Sequence, residues 1–209
     1  MKTAAGEFEL ALQTLRRFGV LLETDTQLPS VAGLIAGEPV RGSWWAHAHA
    51  HEIFDVLSRL ADHRDVLVTK LISGKNTLVH RKLWPEICTI GRSRSAWQMD
   101  GLSRSVRLLL ERIDEQGSLR TDEIEWPKSA DAKPGDAARQ LEKKLLIHAG
   151  EVHTESGAHA KLLETWETWA ERSGFKVEIK SVEEAKRKME KRVRKLNEQF
   201  KGTARLPWV

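Results

Sequence analysis

The sequence contains one cysteine, Cys88, and no tyrosine among its 209 residues. A single cysteine excludes an internal disulfide framework and any metal site built from cysteines alone. The apolar runs are short, and even residues 18–22 end at Glu23, so no segment approaches the length of a membrane span. Glu7 and Glu9 lie where a secretory signal would need an unbroken apolar core. We therefore expect a cytoplasmic protein.

The composition is that of a folded protein. Hydrophobic residues make up 40% of the chain and charged residues 31%, which provides enough apolar material for a core and excludes a wholly disordered chain. At roughly 150 residues per domain, the length predicts one or two domains. Eight tryptophans are present, and most of them are expected in the core.

The positive charge is concentrated at the C-terminal end. The formal net charge is +4. Residues 180–209 contain ten Lys or Arg and four Asp or Glu, a net charge of +6, and the remaining residues contain 24 basic and 26 acidic side chains, a net charge of −2. Basicity is thus a property of the C-terminal segment, and the overall charge by itself does not indicate nucleic-acid binding.

This basic segment has the pattern of one long helix. Ser181 followed by Glu184 forms a capping box. Three interpretations are open: a solvated helix docked by its apolar stripe, a basic arm on phosphates, or a coiled coil with a second copy of the chain. The apolar residues recur at spacings of three and four, as a helical stripe requires: Val182, Ala185, Met189, Val193, Leu196 and Phe200.

The first half of the chain has the element order of a winged helix. Gly19 ends the first helix, and the third helix is expected to bury Ile53, Phe54, Leu57 and neighbouring apolar residues on one face. The strands on either side of the Ser73–Asn76 turn form a hairpin. The predicted elements are a helix over 8–18, a short helix over 29–37, a helix over 45–61, a hairpin of 66–72 and 77–81, and a helix near 83–85.

The second half repeats this order. Gly117 ends its first helix, and Asp136 is expected to begin its third. A turn at Ser156 and Gly157 joins the strands of its hairpin. The predicted elements are a helix over 102–113, a short helix over 118–124, a helix over 136–145, a hairpin of 146–154 and 158–162, and a helix that contains Trp166 and Trp169.

These elements predict a mainly α protein with two small antiparallel β-hairpins, that is, an α+β fold. We expect tandem winged-helix-like units at residues 1–95 and 96–175. A basic C-terminal helix and tail follow at residues 176–209. Neither hairpin is long enough to be stable alone, so each must pack on its own helices.

Four segments are similar in sequence to proteins related to the AlkZ/YcaQ group: LLLERIDEQGSLRTDEI at 108–124, GSWWAHAHAHEIF at 42–54, GKNTLVHRKLW at 74–84 and EVHTESGAHAKLLETW at 151–166. That group consists of tandem winged-helix DNA glycosylases that unhook crosslinks. The resemblance covers most of residues 5–175, and it implies tandem winged helices and DNA binding.

The resemblance also implies a candidate catalytic motif. The glycosylases carry Gln-x-Gln or Gln-x-Asp, and Gln98-Met99-Asp100 matches the second form. Asp100 would activate a water that Gln98 positions at the sugar carbon of a flipped nucleotide. In the family this motif lies early in the first winged helix, whereas here it lies between the two units. The alternative interpretation is that Asp100 caps the helix that begins near Leu102.

Aromatic and histidine side chains cluster before the third helix. On a helix, His47 and His51 are neighbours, whereas His49 would join them only on a strand. No ligand spacing typical of a metal site accompanies them, so neither a metal nor a cofactor is expected. We expect His47 and His51 to pack near Trp44 and Trp45 as a candidate pocket.

Basic residues on and near the helices and hairpins are candidate contacts to a DNA backbone. Those of the first unit lie on or beside its hairpin, where they could equally serve to keep the sheet edge soluble. Those of the second unit lie on or next to its helices. The candidates are Lys70, Lys75, Arg81, Lys82, Arg107, Arg120, Arg139, Lys143 and Lys144.

The sequence thus predicts double-stranded DNA binding through tandem winged-helix units, in repair or regulation, with contacts mainly to the backbone. A DNA glycosylase that uses Gln98 and Asp100 is the second hypothesis. The third is a protein-interaction module without DNA binding, with another protein or a second copy of the chain as partner. The predicted helix at 45–61 favours this third hypothesis, because it has almost no Lys or Arg before Arg59.

Overall fold

The structure is a computed structural model that describes residues 4–153, 159–176 and 181–209. The fold is α+β: helices predominate, and there are two small antiparallel sheets of three strands each. The predicted fold class is confirmed. Two compact units can be distinguished: unit 1 comprises Met1–Glu86, Lys186–Pro207 and Val209, and unit 2 comprises Ile87–Ala185 and Trp208. The predicted domain boundaries stay a prediction.

Unit 1 begins with the predicted order of helices and hairpin. Short 3-10 turns at Trp44–Ala46, Ile72–Gly74 and Arg81–Leu83 join the elements. The main elements are α1 (Ala4–Phe18), β1 (Val20–Leu22), α2 (Val31–Ala36), α3 (Ala50–Ala61), β2 (Val66–Lys70) and β3 (Asn76–His80), and α4 (Trp84–Gly91) begins at the end of this segment.

Local sequence signals fix the ends of the first two helices. Gly19 ends α1 with a positive φ of 80°, a left-handed conformation that glycine adopts without steric cost, and its N–H donates to the carbonyl of Leu15. The Ser30 hydroxyl accepts a hydrogen bond from the N–H of Gly33 at the start of α2, and Gly37 ends that helix in the left-handed conformation. The predicted end of the first helix at Gly19 and the predicted short helix within residues 29–37 are confirmed.

The sheet of unit 1 has the strand order β1-β3-β2, with every pair antiparallel. The sequence predicted only the two strands of the hairpin. The missing strand is β1, in which Val20 pairs with Val79 across the sheet. It gives β3 hydrogen-bonding partners on both edges, so that the strand carrying Leu78 and Val79 becomes the buried centre of the sheet.

The third helix of unit 1 is shorter than predicted. A 3-10 turn takes up Trp44–Ala46, and α3 begins only at Ala50. Its buried face is formed by Ile53, Val56 and Leu60. The prediction that Phe54 belongs to this face is wrong, because its side chain is 49% exposed.

Unit 2 differs from unit 1 in its second element. Its core is formed by the apolar stripes of two helices and by the central strand of its sheet. The elements are α5 (Ala96–Met99), α6 (Arg104–Gln116), β4 (Ser118–Arg120), α7 (Pro134–Lys143), β5 (His148–His153), β6 (His159–Glu164) and α8 (Trp166–Arg172).

The predicted short helix at 118–124 is wrong. Residues 118–120 instead form β4, which pairs antiparallel with β6 so that Leu119 lies opposite Leu163. The sheet order is β4-β6-β5. The hydroxyl of Thr121, within the segment predicted as helix, accepts a hydrogen bond from the N–H of Lys161 on β6. Unit 2 therefore has no counterpart of α2 in residues 121–133, all of which the structure describes.

The other boundaries in unit 2 shift by a few residues. Helix α7 begins at Pro134, so Asp136 lies in its first turn and is not its cap. The helix ends before Leu145, which has a positive φ of 53°. The second predicted hairpin is present as β5 and β6, and its predicted turn at Ser156 and Gly157 lies outside the described residues.

The C-terminal segment forms α9 (Val182–Phe200), as predicted. The Ser181 hydroxyl accepts a hydrogen bond from the N–H of Glu184 at 3.4 Å. Met189, Val193 and Leu196 of the stripe are buried. The helix is therefore docked by its apolar stripe, as the first of the three interpretations predicts, and contact of its basic residues with phosphates stays a prediction.

Candidate nucleic-acid interface

The two lysines of the first hairpin are held by neighbouring side chains. Lys70 Nζ donates a hydrogen bond to Asn76 Oδ1 at 2.6 Å, and Lys75 Nζ forms an ion pair with Asp25 Oδ2 at 2.7 Å. Burial alone would raise the pKa of Asp25, but the hydrogen bonds from Lys75 and two backbone N–H groups outweigh it and lower the pKa. Lys75 is thus neutralised within the protein.

The two cations after this hairpin are also in contact with the protein. The Arg81 guanidinium lies 3.9 Å from the Asp65 carboxylate. Lys82 Nζ donates to the backbone carbonyl of Arg16 in the last turn of α1. Burial, and then the charge of Arg192, lowers the pKa of Lys82. Lys82 is thus held at the C-terminal end of α1.

Two candidate cations of unit 2 hold the end of a short helix. Arg107 donates to the carbonyl of Met99 at 3.0 Å. Lys144 Nζ donates to the carbonyls of Trp97 and Asp100 at 2.8 and 2.9 Å. Carbonyls at a helix C-terminus lack intrahelical partners and carry partial negative charge, so cations stabilise them. Both side chains have structural contacts that a phosphate would have to replace.

The remaining candidates of unit 2 differ in their pairing. Arg120 forms ion pairs with Asp122 at 2.8 Å and with a second carboxylate, and Arg139 forms one with Asp136 at 3.3 Å. Lys143 is exposed and has no hydrogen bond or ion pair within the described parts of the chain. Among the nine candidates, Lys143 is therefore the one with neither a hydrogen bond nor an ion pair within the described residues.

The side chain of Gln98 is fully buried and hydrogen-bonded on both sides of its amide. Its Oε1 accepts from Ser93 Oγ at 2.8 Å and from the N–H of Ser95 at 3.0 Å. Its Nε2 donates to the carbonyls of Gly91 and Lys144. An amide has two donor hydrogens and two acceptor lone pairs, so the protein fills its capacity and leaves none for a water.

Asp100 lies at the C-terminal end of α5 and is exposed. The alternative that it caps the following helix is wrong. Helix α6 begins after Ser103, and the carboxylate of Asp131 accepts hydrogen bonds from Ser103 Oγ and the N–H of Ser105. The cap comes from a residue 26 positions along the chain, which no local pattern could indicate.

The tryptophan pair of unit 1 forms an aromatic stack. The rings of Trp44 and Trp45 lie 4.1 Å apart, centroid to centroid. Trp44 is buried, and its indole N–H donates to Glu23 Oε1 at 2.7 Å. Trp45 is 64% exposed and contacts Phe54, with 5.6 Å between the ring centroids. The stack presents an aromatic surface to solvent.

The histidines beside this stack are arranged differently from the prediction. His47 precedes α3, so it is not a helical neighbour of His51. Instead its ring lies 5.6 Å from that of His49, which lies 3.8 Å from the Glu52 carboxylate. Within residues 4–153, 159–176 and 181–209, no group of three or more His, Cys, Asp or Glu side chains could hold a metal ion.

Sequence comparison places the chain in a family. A family model described as AlkZ related matches residues 6–204, nearly the whole length. The chain belongs to the AlkZ-related family. No curated protein and no solved structure matches this AlkZ-related chain. None of its described helices combines the length and the apolar character needed to cross a membrane.

A basic groove of the AlkZ-related chain was not among the candidate sites. It lies in unit 1 between the end of α1 and the helix α9, and has a volume of about 240 Å³. We call it the α1–α9 groove. The sequence contains two of its parts, the Arg16-Arg17 pair at the end of a helix and the basic C-terminal helix. It does not indicate that these two parts lie close together in the fold. Its lining residues are Arg17, Phe18, Arg192, Lys195, Leu196 and Gln199.

Proposed function

We propose that this AlkZ-related protein binds double-stranded DNA, mainly through the phosphate backbone, in a role connected with DNA repair. Two observations support the proposal. The chain belongs to the AlkZ-related family. In unit 1, the order of helix, strand, helix, helix and hairpin, with a sheet ordered β1-β3-β2, is an order typical of winged helices and supports the proposal.

The distribution of charge between the units carries the proposal. Unit 1 contains 19 Lys or Arg and 12 Asp or Glu, a net charge of +7, whereas unit 2 contains 15 and 18, a net charge of −3. A cluster of positive charge is what attracts a polyanion and what makes its binding sensitive to salt. We therefore assign most of the phosphate contacts to unit 1 and a smaller share of them to unit 2.

Titration of the full chain with a fluorescently labelled duplex tests the proposal. We expect binding at 25 mM salt that weakens steeply as salt is added, with a slope of log K against log salt of about −2 or steeper if at least two phosphates are neutralised. The absence of binding at 25 mM salt would overturn the proposal. Competition by unlabelled duplex, but not by an uncharged polymer, controls for nonspecific effects.

The glycosylase hypothesis predicts base release from damaged duplex that is lost in Asp100→Ala. Asp100 is exposed and accessible, but the four hydrogen bonds of Gln98 leave its amide no capacity for the water that the hypothesis assigns to it. Base release by the wild-type chain and by Gln98→Ala, but not by Asp100→Ala, would support an enzyme in which Asp100 acts without Gln98.

The exposed aromatic surface of Trp45 and Phe54 favours protein interaction as a second candidate function. Exposed aromatic side chains are enriched at protein interfaces. If the partner is a second copy of the chain, light scattering should show a mass that rises with concentration and returns to that of the monomer in Trp45→Ser. A monomer at all concentrations would exclude self-association.

A further inference from the structure

We propose that the α1–α9 groove is the surface of unit 1 that binds the phosphates of duplex DNA. The inference rests on the proposed function and assigns a location to it. Arg17, Arg192 and Lys195 line the groove, and no carboxylate is among the described residues that line it. Three cations around one open groove repel each other, and an anionic strand would relieve that repulsion.

The cations of the groove are not neutralised by the protein. Neither Arg192 nor Lys195 has an ion pair or hydrogen bond in the described segments. Arg17 contacts the ring of Phe18, with its guanidinium 5.1 Å from the ring centroid. Lys75 differs, because Asp25 neutralises it. Unpaired cations gain more from a phosphate than paired ones do, since no internal ion pair has to be broken.

Two of the last carbonyls of α1 are paired within the protein, which weakens the repulsion that this helix end exerts on an anion. Free carbonyls at a helix C-terminus would repel phosphate. The N–H of Gly19 donates to the carbonyl of Leu15, and Lys82 Nζ donates to that of Arg16. Lys82 therefore places its own positive charge at this end of α1, where its hydrogen bond holds it.

The spacing along α9 suits a strand of phosphates. Arg192, Lys195 and Gln199 follow one another at spacings of three and four, so they lie on one face of the helix. At about 1.5 Å per residue the row is about 10 Å long. Successive phosphates of one strand are separated around the duplex axis as well as by about 3.4 Å along it, so the row spans about two of them.

Helix α9 is fixed on unit 1, which pre-organises its cations. Lys188, one turn before Arg192, forms an ion pair at 2.6 Å with the buried Glu86. The rings of Phe18 and Phe200 meet edge to face, with 5.4 Å between their centroids. A rigid cationic row loses less side-chain and backbone entropy on binding than a free basic arm does.

The chain that follows α9 is also tied to unit 1. The carbonyl of Arg205 accepts a hydrogen bond from the N–H of Ser73 at 2.8 Å, and Leu206 is buried. The helix is therefore held beyond its C-terminal end as well as along its stripe.

The double variant Arg192→Gln/Lys195→Gln tests the proposal. The matched control is Lys191→Gln/Arg194→Gln, which removes the same charges from exposed positions of α9 that do not line the groove. Duplex binding of both variants and of the wild type is measured between 25 and 300 mM salt. Circular dichroism checks that all three are equally folded.

We expect the groove variant to lose about two units of the salt slope and on the order of 50-fold in affinity at 0.1 M salt, since each phosphate contact contributes about 0.9 to the slope. The control should lose about threefold or less. If the wild type binds duplex but both variants lose the same affinity, the assignment of the site to the α1–α9 groove is overturned and the proposed function stands. If the wild type does not bind duplex at 25 mM salt, both are overturned.

Discussion

The stability of unit 2 should depend on pH mainly through one buried carboxylate, that of Glu164. Its side chain is 1% exposed. Arg172 donates to both of its oxygens, at 2.8 and 2.7 Å, and His148 Nδ1 lies 3.2 Å from Oε2. Burial would raise the pKa of Glu164, but these partners outweigh it and lower the pKa from 4.5 to about 2.

The size of this effect follows from linkage. A carboxyl whose pKa is lowered on folding from 4.5 to about 2 stabilises the folded state by about 3 kcal/mol above pH 5. The Arg172 side chain is 53% exposed, so solvent screening reduces our expectation to about 2 kcal/mol. The contribution is lost as the pH falls from about 5 towards 2, because the unfolded chain then binds the proton more readily.

We therefore expect Glu164→Gln to lower the free energy of unfolding of unit 2 by about 2 kcal/mol at pH 7, and by less than about half of that at pH 3. The free energy of unfolding of unit 2 is measured separately by urea denaturation, which is monitored through hydrogen exchange in peptides of β6 and α8. Glu167→Gln is the control, because the ion pair of Glu167 with Arg92 is exposed and should contribute less than about 0.5 kcal/mol. Equal losses at both pH values would refute the reasoning.

Three further predictions concern buried positions. Gly91→Ala should lower the melting temperature by at least about 5 °C, because its Cβ would overlap the indole of Trp166, whose N–H donates to the Leu145 carbonyl; an unchanged value contradicts this. Gln98→Ala should destabilise the chain by about 2–4 kcal/mol in urea, since it removes the four hydrogen bonds of a buried amide and leaves the buried Gly91 carbonyl without this donor; a loss below about 0.5 kcal/mol would show that these hydrogen bonds are not needed for stability. Burial raises the pKa of Cys88 to about 12, so thiol reagents at pH 8 should label it only after unfolding; full labelling of the native chain is the opposing result.

Much of the fold could be predicted because its signals are local. The serine and glycine at the two ends of α2 act within a few residues of the helix they bound. The stripe of α9 repeats often enough for its buried face to be identified. The hairpin of β2 and β3 likewise has β-prone runs on either side of a turn.

The two missed strands had no such local signal. β1 and β4 have three residues each, too few for a periodic pattern, and each pairs with a strand more than 35 residues away in sequence. Tertiary pairing decided the structure of Leu119, which the local sequence favoured as helix.

The candidate interface was harder to predict, because the pairing of charges depends on distant residues. Lys75 is neutralised by Asp25, which lies 50 positions away, and Lys144 binds carbonyls more than 40 positions away. Arg17 and Arg192 face one groove from opposite ends of the chain. The positions of Lys and Arg in the sequence therefore do not distinguish cations that are available to phosphate from those that are already paired within the folded protein.

Lysine footprinting tests the central claim, that unit 1 holds the DNA. The chain is acetylated with and without saturating duplex, and Lys195 in unit 1 is compared by mass spectrometry with Lys143 in unit 2, since both are exposed and have no ion pair among the described residues. We predict that duplex lowers the labelling of Lys195 by about fivefold or more and changes that of Lys143 by less than about twofold. Protection of Lys143 with Lys195 unchanged would contradict the account.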